Sequence, residues 1–190
     1  MTTTTNSTTA AIDTLKRRLP DHAKDQRINL GVIAAATALS PAQAWGTALV
    51  AARTSRNREV IDAIEDAAAS HMSTEALFAA RGAASIMGMN NIYYRFVHTM
   101  GEGTDYPEMP ARLRMQIIGK PGVDALDFEL WCLAASAITG CEKSVRLHEA
   151  SVRDRGGSPE QVHEAIRIAA VVHAVALTLD GLPAVEPIPV

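Results

Sequence analysis

The sequence predicts an all-α fold, a single domain built from two related halves, and three observations carry that reading. Hydrophobic residues make up 47% of the 190-residue chain but aromatics only 4%. With alanine recurring throughout, this composition suits closely packed helices better than a β-sandwich. Helix-start signals recur along the chain while strand signals are nearly absent. Two stretches also repeat one another in degenerate form.

Met1 to Thr9 is threonine-rich with nothing apolar to bury, and is expected to be a disordered tail ahead of a domain spanning residues 10–182. Ala10 to Leu19 reads as a short amphipathic helix stopped by Pro20. Asp21 to Leu39 mixes charged and apolar residues at helical spacing, which turns Ile28, Leu30, Val32 and Ile33 inward. Ser40-Pro41-Ala42-Gln43 and Ser158-Pro159-Glu160-Gln161 share one signature. Each has a capping serine, proline at the first helical position and glutamine three after the serine. Ser73-Thr74-Glu75 opens another helix. Gly156-Gly157 punctuates the chain, Val171-Val172 lies inside a longer helical pattern, and residues 183–190 form a proline-rich tail.

The repeat sets residues of about 40–100 against those of about 125–180. Ala44-Trp45-Gly46-Thr47-Ala48 to Ser55 lies on Leu130-Trp131-Cys132-Leu133-Ala134 to Cys141 at an offset of 86 residues. Ser73 to Met87 lies on Ser158 to Val172 at an offset of 85. On this register Ser55 occupies the Cys141 position and Asp62 the His148 position, so the first copy reads as structural.

A net charge of −3 leaves no footprint for nucleic acid or an anionic membrane. No apolar run approaches a membrane span and the N-terminus lacks a basic-then-apolar signal, so a cytoplasmic protein is expected. Two cysteines, Cys132 and Cys141, do not make a disulfide framework. On one continuous helix their Cα atoms would lie about 13 Å apart, too far to bridge. Cys132, beside Trp131 on an alanine-rich run, reads as a small buried apolar residue.

Chemistry concentrates between Asp127 and Gly156. An apolar helical run ends in Thr139-Gly140, Cys141 follows, and a second helical run carries His148. A cysteine after such a break sits at a helix N-terminus, where unpaired N–H groups favour a thiolate. Ser144 and His148 lie three and seven residues beyond Cys141 and share its face. Glu129 lies on the preceding helix between Phe128 and Leu130, bulky neighbours that suit it to act as a base. Thiol, hydroxyl, imidazole and carboxylate can therefore converge on one pocket. Lys143 reads as a solvated first-turn lysine, and Met87 and Met89 as core. His163 and His173, ten residues apart, have no partner at ligand spacing and carry no assigned function.

Glu129-Leu130-Trp131, the alanine-rich run, Gly140-Cys141-Glu142-Lys143-Ser144 and His148 together resemble the active-site pattern of the AhpD-like alkylhydroperoxidases, within the carboxymuconolactone decarboxylase-like family. That pattern is E-L-W, then G-C-x-x-C-x-x-x-H. The resemblance runs over roughly residues 11–180, through Ile28 to Leu30, Ala44 to Thr47, Met87 to Arg95 and Leu113 to Ile118. Asn90-Asn91 and Tyr93-Tyr94 belong to it without a role that follows from their chemistry. One position departs: the second motif cysteine is Ser144 here. The family often carries histidine where this chain has Lys143.

The resemblance implies an antioxidant thiol peroxidase that reduces organic hydroperoxides and passes electrons to the peroxiredoxin AhpC. In that scheme the second cysteine attacks the peroxide and becomes a sulfenic acid, and the first condenses with it to a disulfide. Dihydrolipoamide, carried on a lipoylated acyltransferase, reduces the disulfide; no cofactor is held. Glu129 and His148 would form the proton relay, and the family implies a homotrimer. Serine can form neither a sulfenic acid nor a disulfide, so this chain is expected to have little or no lipoamide-linked turnover. Ser144 fits either an introduced substitution that holds the enzyme in one state or a natural divergence. Two other readings stand beside this one: a carboxymuconolactone decarboxylase-like enzyme using His148 or Glu129 for proton transfer, and a non-catalytic adaptor using Cys141 for mixed-disulfide contact.

Overall fold

A computed structural model describes residues 3–183, and no strand occurs among them. The helices in chain order are α1 (Thr3–Arg18), α2 (Lys24–Asn29), α3 (Pro41–Ser55), α4 (Arg58–Ala68), α5 (Thr74–Met100), α6 (Gln116–Gly119), α7 (Ala125–Thr139), α8 (Glu142–Asp154) and α9 (Pro159–Asp180). Short 3-10 turns at Asp21–Ala23, Leu30–Val32 and Tyr106–Glu108 fill some connections. The fold is all-α, as the composition and cap signals require.

Helix α3 lies at the centre, packed against α4, α5, α7 and α9, and α7 also packs on α5, α8 and α9. Small residues bring α3 and α7 together. A methyl group on Gly46 would fall 2.3 Å from the Trp131 ring, so only glycine admits the indole, whose Nε1–H donates to the Gln43 carbonyl at 3.3 Å. Both serine–proline starts are full capping boxes. The Ser40 and Ser158 hydroxyls accept from the N–H of Gln43 and Gln161, whose side chains accept in return from the serine N–H groups at 2.9 Å. The Gln161 amide then reaches the Gln43 side-chain oxygen at 3.4 Å, so the two boxes meet where the halves join.

Three elements differ from the sequence reading. Helix α1 begins at Thr3 rather than Ala10, running through most of the stretch read as a disordered tail. Once Ile12, Leu15 and Leu19 dock it, each added residue gains a hydrogen bond without a new nucleation cost. Met1, Thr2 and residues 184–190 lie outside the described residues. The stretch from Asp21 to Leu39 breaks into the short helix α2 and two 3-10 turns, burying Leu30 and Ile33 but leaving Ile28 77% exposed. Helix α9, 22 residues long, meets the length and composition of a membrane-crossing helix, against the expectation that no run approaches one. Its Ala165, Ile168, Ala169, Val172, Val175 and Ala176 are buried against neighbours that include α3 and α7, as in the core helix of a globular domain.

The repeat is also re-registered. Helices α3 and α7 have 15 residues each and end in a left-handed residue, Arg56 and Gly140. The next helices start from Asn57 and Cys141, an offset of 84 residues rather than 86. The counterparts of Ser144 and His148 are therefore Val60 and Ile64, both buried core residues, and not residues on the Ser55–Asp62 register. The tryptophans misled the alignment, because a two-residue shift turns a helix by about 200°. Trp45 stacks on His71 at 5.0 Å, while Trp131 covers Gly46.

Candidate active site

Gly140 closes α7 with φ of 69°, a left-handed conformation glycine adopts without steric cost. This turn delivers Cys141 to the N-cap of α8 in extended conformation, its N–H donating to the Ser136 carbonyl at 3.2 Å. An N-cap side chain ordinarily accepts from the first turn; Cys141 makes no such bond. Its Sγ lies 3.1 Å from the Ser144 Oγ, one helical turn on. One turn further, His148 Nδ1 lies 2.6 Å from Glu129 Oε2. With Glu129 as the carboxylate acceptor, Nδ1 carries the hydrogen and Nε2 is the free nitrogen. The second carboxylate oxygen lies 4.0 Å from the Arg155 guanidinium.

Of the four residues expected to converge on one pocket, Glu129, Ser144 and His148 line one cavity and Cys141 does not. Cys141 is wholly buried, Ser144, His148 and Glu129 nearly so, and they form two hydrogen-bonded pairs. Full burial of Cys141 departs from the exposure expected of a reactive thiol. The reason is its position behind Ser144, which, unlike Cys141, lines a cavity of about 270 Å³. Glu129, Lys143, Leu147 and His148 line the same cavity from α7 and α8; Met87, Asn90 and Tyr94 line it from α5, and Met115 and Ile118 from the connection before α7. Methionine and aliphatic carbon dominate the walls, with polar groups contributed by α5 and α7 as well as α8. Such a space accepts a small molecule with an alkyl body and one polar end.

Lys143 is exposed, as read, with its ammonium 5.9 Å over the Tyr94 ring. Cys132 is a free buried thiol; burial, and then the Glu129 carboxylate, push its pKa well up. His173 pairs with Ser55 Oγ at 2.9 Å, away from the cavity. Leu147, Tyr94 and Asn90 were not singled out for the site from the sequence. Leu147 could have been, standing one turn beyond Lys143. The spacing of Met87, Asn90 and Tyr94 marks one face of α5, but nothing in it says which helix that face meets.

Residues 104–187 match the model of the carboxymuconolactone decarboxylase family, a span that holds all of α7 and α8. Over 92% of its length the chain is 58% identical to an alkyl hydroperoxide reductase AhpD of Gluconacetobacter diazotrophicus, covering 95% of that protein. It is 52% identical to one of Rhodospirillum centenum over 90% of this chain and 91% of the relative. The corresponding Frankia alni protein is 48% identical over 88% and 90%. The chain belongs to the AhpD family. The AhpD relatives span both halves of the repeat, so the likeness includes the α5 wall of the cavity as well as the part that the family model matches.

Proposed function

We propose that this chain carries the site of an AhpD-type alkyl hydroperoxide reductase, with its peroxide-facing sulfur replaced by the Ser144 hydroxyl. The observation that carries this reading is the order of the two positions: residue 144 lines the cavity, and Cys141 waits 3.1 Å behind it. A cysteine at 144 would meet the peroxide first. Its thiolate attacks the terminal oxygen of ROOH, the O–O bond breaks, ROH leaves with a proton, and a sulfenic acid remains. The Cys141 sulfur then attacks that sulfenic sulfur, water leaves, and a disulfide forms within one helical turn. Dihydrolipoamide returns two electrons and two protons. His148 Nε2, its ring oriented by the Glu129 carboxylate, takes the thiol proton and returns it to the leaving alkoxide. Glu129, Cys141, residue 144 and His148 are the catalytic set.

The relatives' printed names support the activity, and the partners are those that the family resemblance implies. The electron donor is a dihydrolipoyl group on an acyltransferase, the electron acceptor beyond the peroxide is an AhpC-type peroxiredoxin, and the working assembly is a homotrimer. With serine at 144 the first step has no sulfur to oxidise, so peroxide turnover is lost while the fold stays intact.

The test is dihydrolipoamide-dependent consumption of cumene hydroperoxide by the chain beside its Ser144→Cys variant. Turnover confined to the cysteine variant is the expected result. Equal rates in the two, or none in either, would remove position 144 from the chemistry.

A further inference from the structure

The cavity changes character from floor to mouth. Glu129, Ser144 and His148 line it and are buried, whereas Lys143 and Leu147 line it and are exposed. Each of these exposed residues of α8 stands one position before a buried one. The helix thus turns Ser144 and His148 inward and leaves Lys143 and Leu147 at the mouth. Tyr94 on α5 is half-buried and also lines the cavity, with the Lys143 ammonium 5.9 Å from its ring centroid.

Charge divides the same way. The floor already holds one carboxylate, Glu129, paired with His148 at 2.6 Å and 4.0 Å from the guanidinium of Arg155, which does not line the cavity. Lys143 is the only lysine or arginine in the lining. Its neighbour Glu142 is taken by Arg146 at 2.8 Å, and Lys143 makes no ion pair among the described residues. An unpaired, solvent-reached ammonium therefore stands at the entrance to a cavity walled by methionine and aliphatic carbon.

We infer that Lys143 sets the substrate class of this site, its ammonium pairing with a carboxylate at the end of the hydroperoxide away from the O–O bond. The inference rests on the peroxide reading above and adds which peroxides are preferred: anionic ones with a short alkyl or aryl body. The charge also orients the molecule. A carboxylate carried to the floor would meet Glu129 and find no free cation there, whereas Lys143 offers one at the mouth. The uncharged peroxide end then goes inward, to residue 144 and to His148 with its free Nε2. A neutral hydroperoxide has the same body and nothing to orient it. No bond is made or broken in this step.

The chain as it exists suits the experiment, because Ser144 does not consume the ligand. The probes are the para-carboxylate of cumene hydroperoxide and the corresponding primary amide, which share one shape and differ by one charge. Both are titrated by NMR into the parent chain, into Lys143→Met, which keeps an unbranched stem, and into Lys143→Arg, which keeps the charge. In dilute buffer the parent should bind the carboxylate about 2- to 5-fold more tightly than the amide, the range of a solvent-reached ion pair. That preference should fade as salt approaches about 1 M. Lys143→Met should bring the ratio to one or below while still binding the amide, and Lys143→Arg should keep the preference. Equal binding of the two probes by the parent, or a preference that Lys143→Met leaves unchanged, overturns the inference and leaves the peroxide reading standing. A Lys143→Met variant that binds neither probe also overturns it, because Lys143 would then be a wall of the cavity and not its charge. A parent that binds neither probe overturns the peroxide reading of the cavity as well.

Discussion

Asn91 is bonded between two helices while the Asn90 side-chain oxygen has no partner among the described residues, and stability distinguishes them. Replacing Asn91 with leucine removes two buried hydrogen bonds and wedges an apolar group between the Ser136 and Thr139 hydroxyls, at a cost of about 2 kcal/mol. Asn90→Leu removes an amide whose oxygen has no protein partner, so stability should hold within about 1 kcal/mol or rise. Urea unfolding of the two variants checks this, and an Asn90→Leu loss as large as that of Asn91→Leu would give Asn90 a structural role. At this scale the sequence was half legible. Cys141, Ser144 and His148 declare themselves because three- and seven-residue spacings fix one helix face. Asn90 does not, because its place in the cavity depends on α8 packing on α5, a tertiary fact with no local signal.

Between elements, close approach and one shared carboxylate set the geometry. Gly46→Ala would drive a methyl into the Trp131 ring. Both lie deep in the α3–α7 contact with no room to yield, so the cost should be about 2–3 kcal/mol, read as a melting temperature lower by roughly 5–10 °C. A melt unchanged by the alanine would mean that the two helices slide apart cheaply. Glu65 on α4 accepts from Arg53 of α3 and Arg81 of α5, each at 2.6 Å. Burial alone would raise its pKa, but the two guanidinium hydrogen bonds overcome that and hold it below the usual carboxylate range. A carboxyl with a depressed folded pKa stabilises fully above its unfolded value, about 4.3. That contribution disappears as pH falls through the lower folded value. Glu65→Gln should therefore cost about 1 kcal/mol at neutral pH and nothing once both forms are acidified. A difference in urea midpoint that persists at low pH would place the effect in packing instead of charge. Capped helices such as α3 and α9 were legible because serine, proline and glutamine carry the start signal locally. The repeat register was not. Matching tryptophans outweighed helix ends, and only the left-handed closures at Arg56 and Gly140 fix the offset of 84 residues.

Across the whole molecule, the two halves share one core and one cavity. A single cluster of buried apolar residues includes Leu49 and Met87 from the first half and Leu130 and Ile168 from the second. The cavity takes its α5 wall from one half and its α7 and α8 walls from the other. The all-α class and the two-half plan were legible, since composition and repetition are properties of the chain; the shared cavity was not, since it exists only where the halves meet. This arrangement predicts that neither half unfolds alone. The chain carries one tryptophan in each, Trp45 on α3 and Trp131 on α7, both buried, so each half has its own fluorescent reporter. Trp45→Phe leaves Trp131 to report the second half, and Trp131→Phe leaves Trp45 to report the first. In each single-tryptophan protein the fluorescence transition in urea should coincide with loss of helical circular dichroism, as for one cooperative unit. If instead the Trp45 signal moves ahead of the helical signal while Trp131 stays native, the halves are separable units. The α5 wall, Asn90 included, could then leave the cavity while the Cys141–His148 helix remained folded. Coincident transitions would tie ligand binding, thiol placement and global stability to one equilibrium, the behaviour expected of a site assembled across the seam of a repeat.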